Sequence, residues 1–547
     1  MDVRTGVSTV ARRFLPAPPL PPGRPRLVVT GFMGTGKTVA GALAAHRLGL
    51  PFFDLDRALE GRAGRSIDEL FRLTGEPGFR ALERDVLRDA ARLSGVVIAT
   101  GGGAVLSGPE FEQLAAGAVV AVLTCDAERL LARLGPAADR PMLASAPADR
   151  IGAILQDRAP LYARAGLALD TSTRSPGQVA AELAGRYGTA AGSGPARIDI
   201  EVPDGRTRVL VGEGVALQVA RQLRELVPGV AAAAVCFDPS VGALAEQVAR
   251  QLSGHGLRAS RCALPSGEAA KSFEVVAGLW ERFRAERVEP ADVVVAVGGG
   301  ATLDAAGFAA ATYARGVACV NVPTTLLAMV DASLGGKVAL NHAGTKNLAG
   351  AFHHPSLVLA DPSVLATLSR RTFRAGMAEA AKALALASPL GFDALLEIDA
   401  PQHISWVVEQ AIRIKAAYVE ADPRDRLLRH SLNLGHTFAH ALESASDHAI
   451  PHGEAVAIGM VAAARLGERF GISPEGLAAK TTTLLGALGL PVAPPPGLSR
   501  ERLVEAMLGD KKRRGGRGAF VVPVPGGVEL VEGVDTREAL DVLEGAP

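Results

Sequence analysis

The sequence predicts an α/β protein of three bodies: two separate α/β domains and, after them, a mostly helical one. Three observations carry this reading. At 547 residues the chain is too long for a single hydrophobic core. Apolar, β-branched runs alternate with helical periodicity on both sides of "GTAAGSGPAR", a Gly/Ala/Ser/Pro stretch with little to bury. From Ser363 onward the strand signals fade, and Ala/Leu-rich segments such as "FRAGMAEAAKALALA" and "LNLGHTFAHALESA" take over at helical spacing.

Taken in order, residues 1–24 hold several arginines and a proline cluster and read as a disordered leader, with an organelle transit peptide as the alternative. They contain no apolar secretory core, and no run in the chain is long and apolar enough to span a bilayer, so a cytoplasmic location is expected. Residues 25–187 open on the strand "RLVVT" and alternate strand, loop and helix; 188–196 read as a linker. Residues 197–362 form the second α/β domain, with strands at "AAAAVCF", "DVVVAVG", "VACVNVP" and "SLVLAD", and 363–547 the helical one. Hydrophobic residues make up 48% and charged residues 21%, the balance of a soluble globular chain. A net charge of +1 excludes a global field for nucleic acid or membrane, so anionic ligands must be met by local arginines and lysines. Four scattered cysteines without a CxxC pair read as buried hydrophobes in a reducing compartment.

Two strands break into three glycines, "VIATGGGAVL" (Val97–Leu106) and "VVAVGGGATL" (Val294–Leu303). They are not copies of one unit. The first lies late in its domain, behind an earlier glycine loop, whereas the second is the main glycine loop of its own domain.

That earlier loop, "GFMGTGKT" (Gly31–Thr38), matches G-x-x-x-x-G-K-[ST] directly after a strand and before a helix, the context a P-loop requires. Gly34, Thr35 and Gly36 let backbone N–H groups face phosphate oxygens, Lys37 neutralises the outer phosphates, and Thr38 offers an oxygen to Mg²⁺. Downstream stand "FFDLD" (Asp54, Asp56), "GEPGFRALE" (Arg80, Glu83), "ATGGG" (Gly101, Gly102, Gly103), "DRPML" (Arg140) and "RAPLY" (Arg158). Singly, each reads as a solvated turn or surface charge. Together and in this order they resemble shikimate kinase, over roughly Pro25 to Tyr187. The resemblance implies a parallel sheet flanked by helices and an ATP- and Mg²⁺-dependent phosphotransferase. Asp54 would face the outer Mg²⁺ shell, and Asp56 would hold and activate the acceptor hydroxyl. Arg80 (positioned by Glu83) and Arg158 would clamp the acceptor carboxylate. Gly101 to Gly103 would admit its ring, and Arg140 would close over the transferring phosphoryl group. Ala42 departs from the arginine of many relatives without touching these roles.

The second glycine loop, "VGGGATLDAAGFAAA", is not G-x-G-x-x-G, yet it has the same physics of strand, glycines and helix N-terminus. Beyond it come "YARG" (Arg315), "VPTTLLAMVDASLGGKVALN", "GTKNLAGAFHHP" and "GMAEAAK". Five of the chain's 11 histidines then fall between His430 and His452, a cluster that with a distant glutamate points to a metal. Helical spacing alone selects His436 and His440, one turn apart on one face.

Arg197 to Pro547 resembles 3-dehydroquinate synthase, with "PTTLLAMVDASLGGK", "GTKNLAGAF" and "NLGHTFAH" nearly unbroken. The resemblance implies a Rossmann-like NAD-binding domain joined to a helical metal domain. It assigns Zn²⁺, or Co²⁺ in its place, to Glu379, His436 and His452, with His440 as a catalytic neighbour in the substrate pocket. NAD would be held by Asp238, Glu268, Lys271, Gly298, Gly299, Gly300, Asp304, Thr324, Thr325, Lys337 and Lys346. Asp331, Asn347, Lys382, Lys415, Arg429 and Asn433 would grip the substrate, with Lys337 also catalytic. Arg315, reaching across a homodimer formed by this half, and Lys511 or Lys512 would meet its phosphate. The implied substrate is 3-deoxy-D-arabino-heptulosonate 7-phosphate: transient oxidation by NAD⁺ at a Zn²⁺-polarised hydroxyl acidifies the neighbouring C–H, phosphate leaves, the ketone is reduced again, and the ring recloses as a carbocycle. One departure stands out. The family's D-E-x-E-like run reads "DPRD" here, with Asp425 for a glutamate and Pro423 for another acid.

Two alternatives stay open at this point. One is another small-molecule P-loop kinase joined to a different sugar-phosphate cyclase or metal-dependent polyol dehydrogenase; the other is a regulatory protein that keeps nucleotide sites without turnover.

Overall fold

The computed structural model describes residues 10–134, 147–192, 194–203, 205–508 and 517–545. They form two compact units, one of Pro22–Gly194 with Ser388–Trp406, the other of Met1–Pro21, Pro195–Ala387 and Val407–Pro547. Strand β1 (Ala11–Pro16) belongs to the second unit.

The first unit is a five-stranded parallel sheet of β2 (Leu27–Gly31), β3 (Phe52–Asp54), β4 (Val97–Ala99), β5 (Val119–Thr124) and β6 (Leu167–Asp170), in the order β3-β4-β2-β5-β6. Central β2 is buried along its whole length, with apolar Leu27–Val29 followed by Thr30, whose hydroxyl accepts from Thr100 Oγ1 at 2.8 Å. The chain crosses to β4 on one side and β5 on the other, so a crevice opens at the carboxyl end of β2. The helix Lys37–Leu48 starts there. Ile67–Ala90 is two helical pieces meeting at Gly75 (φ 66°, ψ −177°), just before Pro77. The break re-aims the second piece, which carries Arg80 and Glu83.

The second unit holds a seven-stranded sheet of β7 (Ala196–Val202), β8 (Gly205–Val211), β9 (Ala232–Phe237), β10 (Arg258–Ala263), β11 (Val293–Gly298), β12 (Ala318–Pro323) and, beyond the antiparallel hairpin of β13 (Lys337–His342) and β14 (Thr345–Phe352), β15 (Leu357–Ala360). The order is β10-β9-β11-β12-β15-β8-β7, parallel except for β7. Along β11, Val293, Val295 and Val297 enter one core while Val294 and Ala296 enter the core on the opposite face, as a strand covered on both sides requires. Helices then dominate: Arg370–Ala387, Ile404–Ala421, His436–Ala445, His452–Arg469, Leu477–Ala487 and Arg500–Leu508.

Three expectations need correction. The leader is ordered over Ala11–Pro16: β1 pairs antiparallel with β17 (Gly527–Asp535), which also pairs β16 (Arg517–Val524), so the helical part carries a three-stranded sheet. Leu15 is buried there, and Arg12 Nε meets Glu529 Oε2 at 2.6 Å. The stretch 188–196 holds the end of the helix Pro176–Ala191 and the start of β7, leaving a shorter connection. Residues 388–406 group with the first unit, where the Trp406 indole donates to Ser94 O at 2.9 Å and its ring lies 6.1 Å from that of Phe53. Among the described residues, no helix is long and apolar enough to cross a membrane.

Candidate active sites

In the first unit the P-loop connects β2 to the helix Lys37–Leu48. Gly36 caps that helix in the left-handed region (φ 89°) and supplies no side-chain cap, so the first amides are left for an anion. Lys37 is buried and donates to Phe32 O at 3.0 Å. Thr35 Oγ1 also donates to Phe32 O, at 2.7 Å. Thr38 Oγ1 donates to Asp54 Oδ2 at 2.6 Å, and the other oxygen of Asp54 caps the next helix through the Asp56 amide at 3.0 Å. Burial and the Asp54 charge push the Asp56 carboxyl up to about 6, against the opposing pull of Lys37.

The three glycines after β4 are small for reasons of space. A Cβ on Gly101 would sit 2.7 Å from Asp56 Oδ1, one on Gly102 3.1 Å from the Met33 amide of the P-loop, and one on Gly103 2.8 Å from both Arg80 Nη atoms. The cationic side chains at this ledge are anchored. Arg80 Nη1 donates to Glu83 Oε2 at 2.7 Å, and Ser107 Oγ donates to the same oxygen at 2.9 Å. Arg158 Nη1 and Tyr162 OH donate to Gly102 O at 2.7 and 2.9 Å. Asp56, Arg80 and Arg158 therefore converge on one glycine ledge beside the P-loop. Arg140 lies outside the described residues. Sequence reasoning did not single out Ser107, Tyr162 or Arg133; Arg133 binds Thr171 O at 2.6 Å and reaches Gly34 O of the P-loop at 3.4 Å. Their signal lies only in the contact.

In the second unit, Gly298 to Gly300 end β11 and open the helix Gly300–Thr312. The Thr324 amide ties to Gly298 O at 2.9 Å, and a Cβ on Gly299 would come within 3.3 Å of Thr325. Asp238, at the end of β9, accepts from Ser240 Oγ (2.7 Å) and Ser266 Oγ (2.9 Å). Glu268 Oε2 accepts from Asn341 Nδ2 at 2.7 Å. Buried Lys271 pairs with Asp304 Oδ2 at 2.5 Å and with Asn347 Oδ1. Burial pushes the Asp304 carboxyl up to about 6, with Lys271 opposing.

A cavity of about 490 Å³ follows, lined among others by Asp331, Lys337, Asn347, Lys382, Lys415, Arg429, Asn433 and His436. Asp331 lies on the π-helical turn Ala328–Ala332, and its Oδ1 meets Lys415 Nζ at 2.5 Å. Lys337 pairs with Asp425 Oδ2, while Asp425 Oδ1 is buried without a hydrogen bond. Burial holds the Arg429 guanidinium below its ordinary pKa, and its Nε is likewise unpartnered. Asp422, which sequence reasoning passed over, accepts from the Arg426, Leu427 and Arg429 amides at 2.8–3.1 Å and so shapes the loop bearing Asp425 and Arg429. Lys346 meets His448 Nδ1 at 3.2 Å. Arg315 is exposed and does not line this cavity; Lys511 and Lys512 lie outside the described residues.

Against the cavity stands the cluster of Glu379, His436 and His452, whose candidate ligand atoms lie within 4.8 Å of one another. Close helix crossings bring them together: a Cβ on Gly459 would lie 2.1 Å from Gly435 O, and one on Gly453 2.0 Å from Ala375 O. Glu379 Oε2 pairs with Lys382. Its Oε1 is buried without a hydrogen bond, 3.6 Å from His436 Nε2 and 3.5 Å from His452 Nε2. An orphaned carboxylate oxygen facing two imidazole nitrogens fits a divalent cation. Burial lowers the His436 imidazole to about 3, reinforced by Lys382, which suits a neutral ligand. Burial also opposes charge on His452, but Glu379 and Glu443 outweigh it and raise that group to about 10. His440 is exposed, its ring 5.6 Å from that of His436 and outside the ligand set, so the pair that helical spacing selects is not the one that forms.

Residues 33–187 match the family model for shikimate kinase, and 261–375 and 376–513 match those for the N- and C-terminal parts of 3-dehydroquinate synthase. The 3-dehydroquinate synthase of Mycobacterium leprae is 41% identical over 322 residues, which cover 57% of this chain and 87% of that protein. Among solved structures, 2-deoxy-scyllo-inosose synthase with carbaglucose-6-phosphate, NAD⁺ and Co²⁺ is similar at 25% identity and TM-score 0.56, covering 64% of this chain and 99% of that one. The 2-epi-5-epi-valiolone synthase of Streptomyces hygroscopicus, with NAD⁺ and Zn²⁺ bound, is similar at 28% identity and TM-score 0.54, covering 62% and 96%. The chain therefore belongs to the 3-dehydroquinate synthase family and carries, ahead of that part, a shikimate-kinase-like domain in the same polypeptide.

Proposed function

We propose that the chain runs two reactions of one biosynthetic route. The first unit phosphorylates shikimate from ATP and Mg²⁺, and the second converts 3-deoxy-D-arabino-heptulosonate 7-phosphate to 3-dehydroquinate and phosphate with NAD⁺ and Zn²⁺ or Co²⁺. The observation that carries this reading is the charge pattern: an acceptor ledge with two arginines flanking Asp56, and a cavity with Lys382, Lys415 and Arg429 beside a three-ligand cluster. Both substrates are carboxylates, and the second also carries a phosphate.

In the kinase unit, Arg80 and Arg158 hold the acceptor carboxylate and Asp56 takes the proton of the attacking hydroxyl. With its carboxyl near 6, Asp56 is ionised at neutral pH yet basic enough to accept that proton. Lys37 and the P-loop amides hold the phosphates, with Thr38 and Asp54 on the Mg²⁺ side. In the synthase unit, the bound groups supply a hydride acceptor and a Lewis acid for the substrate's hydroxyls. Glu379, His436 and His452 would hold the ion. Lys271, Asp304 and Asp238 would hold the cofactor. The lysines and Arg429 neutralise substrate anions, and Lys337, which lines the cavity and pairs with Asp425, supplies a proton donor beside an acceptor. The exposed Arg315 suits a role toward a second copy of the chain.

The test is to supply the purified chain with each substrate separately. Lys37→Ala should abolish ATP-dependent phosphorylation while sparing phosphate release from the heptulosonate. Loss of both together, or preferred turnover of a neutral polyol, would sink the reading.

A further inference from the structure

The geometry points to Glu443 as a positioning residue that fixes His452 in the tautomer able to bind a divalent ion. This rests on the metal reading of the Glu379–His436–His452 cluster. An imidazole that binds a metal gives up the proton on the coordinating nitrogen, which for His452 the ion displaces, and keeps the proton on the other, so each ligand histidine needs an acceptor for its second N–H. For His436 that acceptor is the Leu434 carbonyl, 3.2 Å from Nδ1. For His452 it is the Glu443 carboxylate, with Oε2 3.3 Å from Nδ1. Both Nε2 atoms are thereby left facing Glu379 Oε1.

Glu443 can do this because of where it stands on the helix His436–Ala445. Residues 436, 440 and 443 follow i, i+4, i+7 spacing and share one face. A single helix thus presents one ligand and the anchor for a ligand that begins the next helix, His452–Arg469. His452 is the more exposed of the two imidazoles, with side-chain exposures of 32% against 13%, so it depends more on an anchor for its orientation. Glu443 is itself only 13% exposed, which strengthens its hold by limiting competition from water.

The test is zinc affinity of the full chain, measured by competition with a chromogenic chelator, for wild type, Glu443→Gln and Glu443→Asp. The Gln variant keeps the shape and loses the charge; it should bind zinc about 10- to 100-fold more weakly, with the thermal midpoint of the metal-free protein unchanged. Glu443→Asp keeps the charge and should recover part of that loss, which a purely space-filling role would not allow. Affinity of the Gln variant within twofold of wild type, or a loss matched by destabilisation of the metal-free protein, overturns the inference while leaving the metal site standing. A wild-type chain that takes up no zinc, or whose uptake survives Glu379→Gln, overturns the metal reading itself.

Discussion

Gly103→Ala isolates the acceptor clamp of the kinase unit from its fold. Gly103 has φ −111° and ψ 1°, a backbone that alanine adopts without strain. The added methyl would first meet the end of a flexible side chain, standing 2.8 Å from both Arg80 Nη atoms and 3.2 Å from Cζ. Ordinary contact begins near 3.4 Å, so the guanidinium must withdraw by about 0.6 Å (3.4 − 2.8). That displacement stretches the 2.7 Å bond to Glu83 and takes Arg80 off the ledge shared with Asp56 and Arg158. A charge-assisted hydrogen bond contributes roughly 1.5–3 kcal/mol, which corresponds to about a 10- to 150-fold rise in KM for the carboxylated acceptor. KM for ATP should move little, because Lys37 and the P-loop are not touched. Initial rates with varied shikimate and varied ATP, read by ADP release, separate the two, and thermal unfolding checks that the fold is kept. An unchanged KM for shikimate in a folded variant would refute the placement of Arg80 at the acceptor carboxylate.

Three further outcomes follow from the same geometry. Dialysis against a zinc-selective chelator such as dipicolinate should silence the synthase reaction, with Zn²⁺ or Co²⁺ restoring it, while the Mg²⁺-dependent kinase reaction continues; simultaneous loss would contradict separate sites. Asp304, raised from 3.8 to about 6 chiefly by burial, favours the protonated folded state, so its contribution is full below pH 3.8 and is lost as pH rises through 6. Relative to Asp304→Asn, the cofactor-free wild type should therefore lose ~2 kcal/mol of stability between pH 3.8 and pH 6, measured by urea unfolding at those two values; a constant difference would argue against the shift. Leu15→Ala should cost the synthase unit about 2–5 kcal/mol, because Leu15 is buried where β1 meets β17. An unmoved unfolding midpoint would mean that the strand contributes nothing.

Legibility tracked the distance along the chain over which each feature is built. The P-loop could be read directly because its donors are consecutive backbone amides, and Gly36 must adopt φ 89° for them to face one anion. From spacing alone the three-residue cluster was only half legible: helical periodicity favours His436 with His440, whereas the family resemblance named Glu379, His436 and His452, the set that Gly435 and Gly459 bring together by letting two helices touch. Glu443, Asp422 and Arg133 gave no signal at all, since an acid or arginine on a helix looks the same whether it faces solvent or anchors a neighbour.

By itself the sequence determined the two α/β bodies and their glycine loops, since apolar periodicity and steric freedom of the backbone are properties of neighbouring residues. Only the tertiary structure decided that Ala11–Pro16 would complete a sheet with a strand more than five hundred residues away, that 388–406 would group with the kinase unit, and how closely His436 and His452 would approach Glu379. Those choices depend on which surfaces exclude water together, and burial of that kind is set by the whole chain's packing, not by any local run of residues.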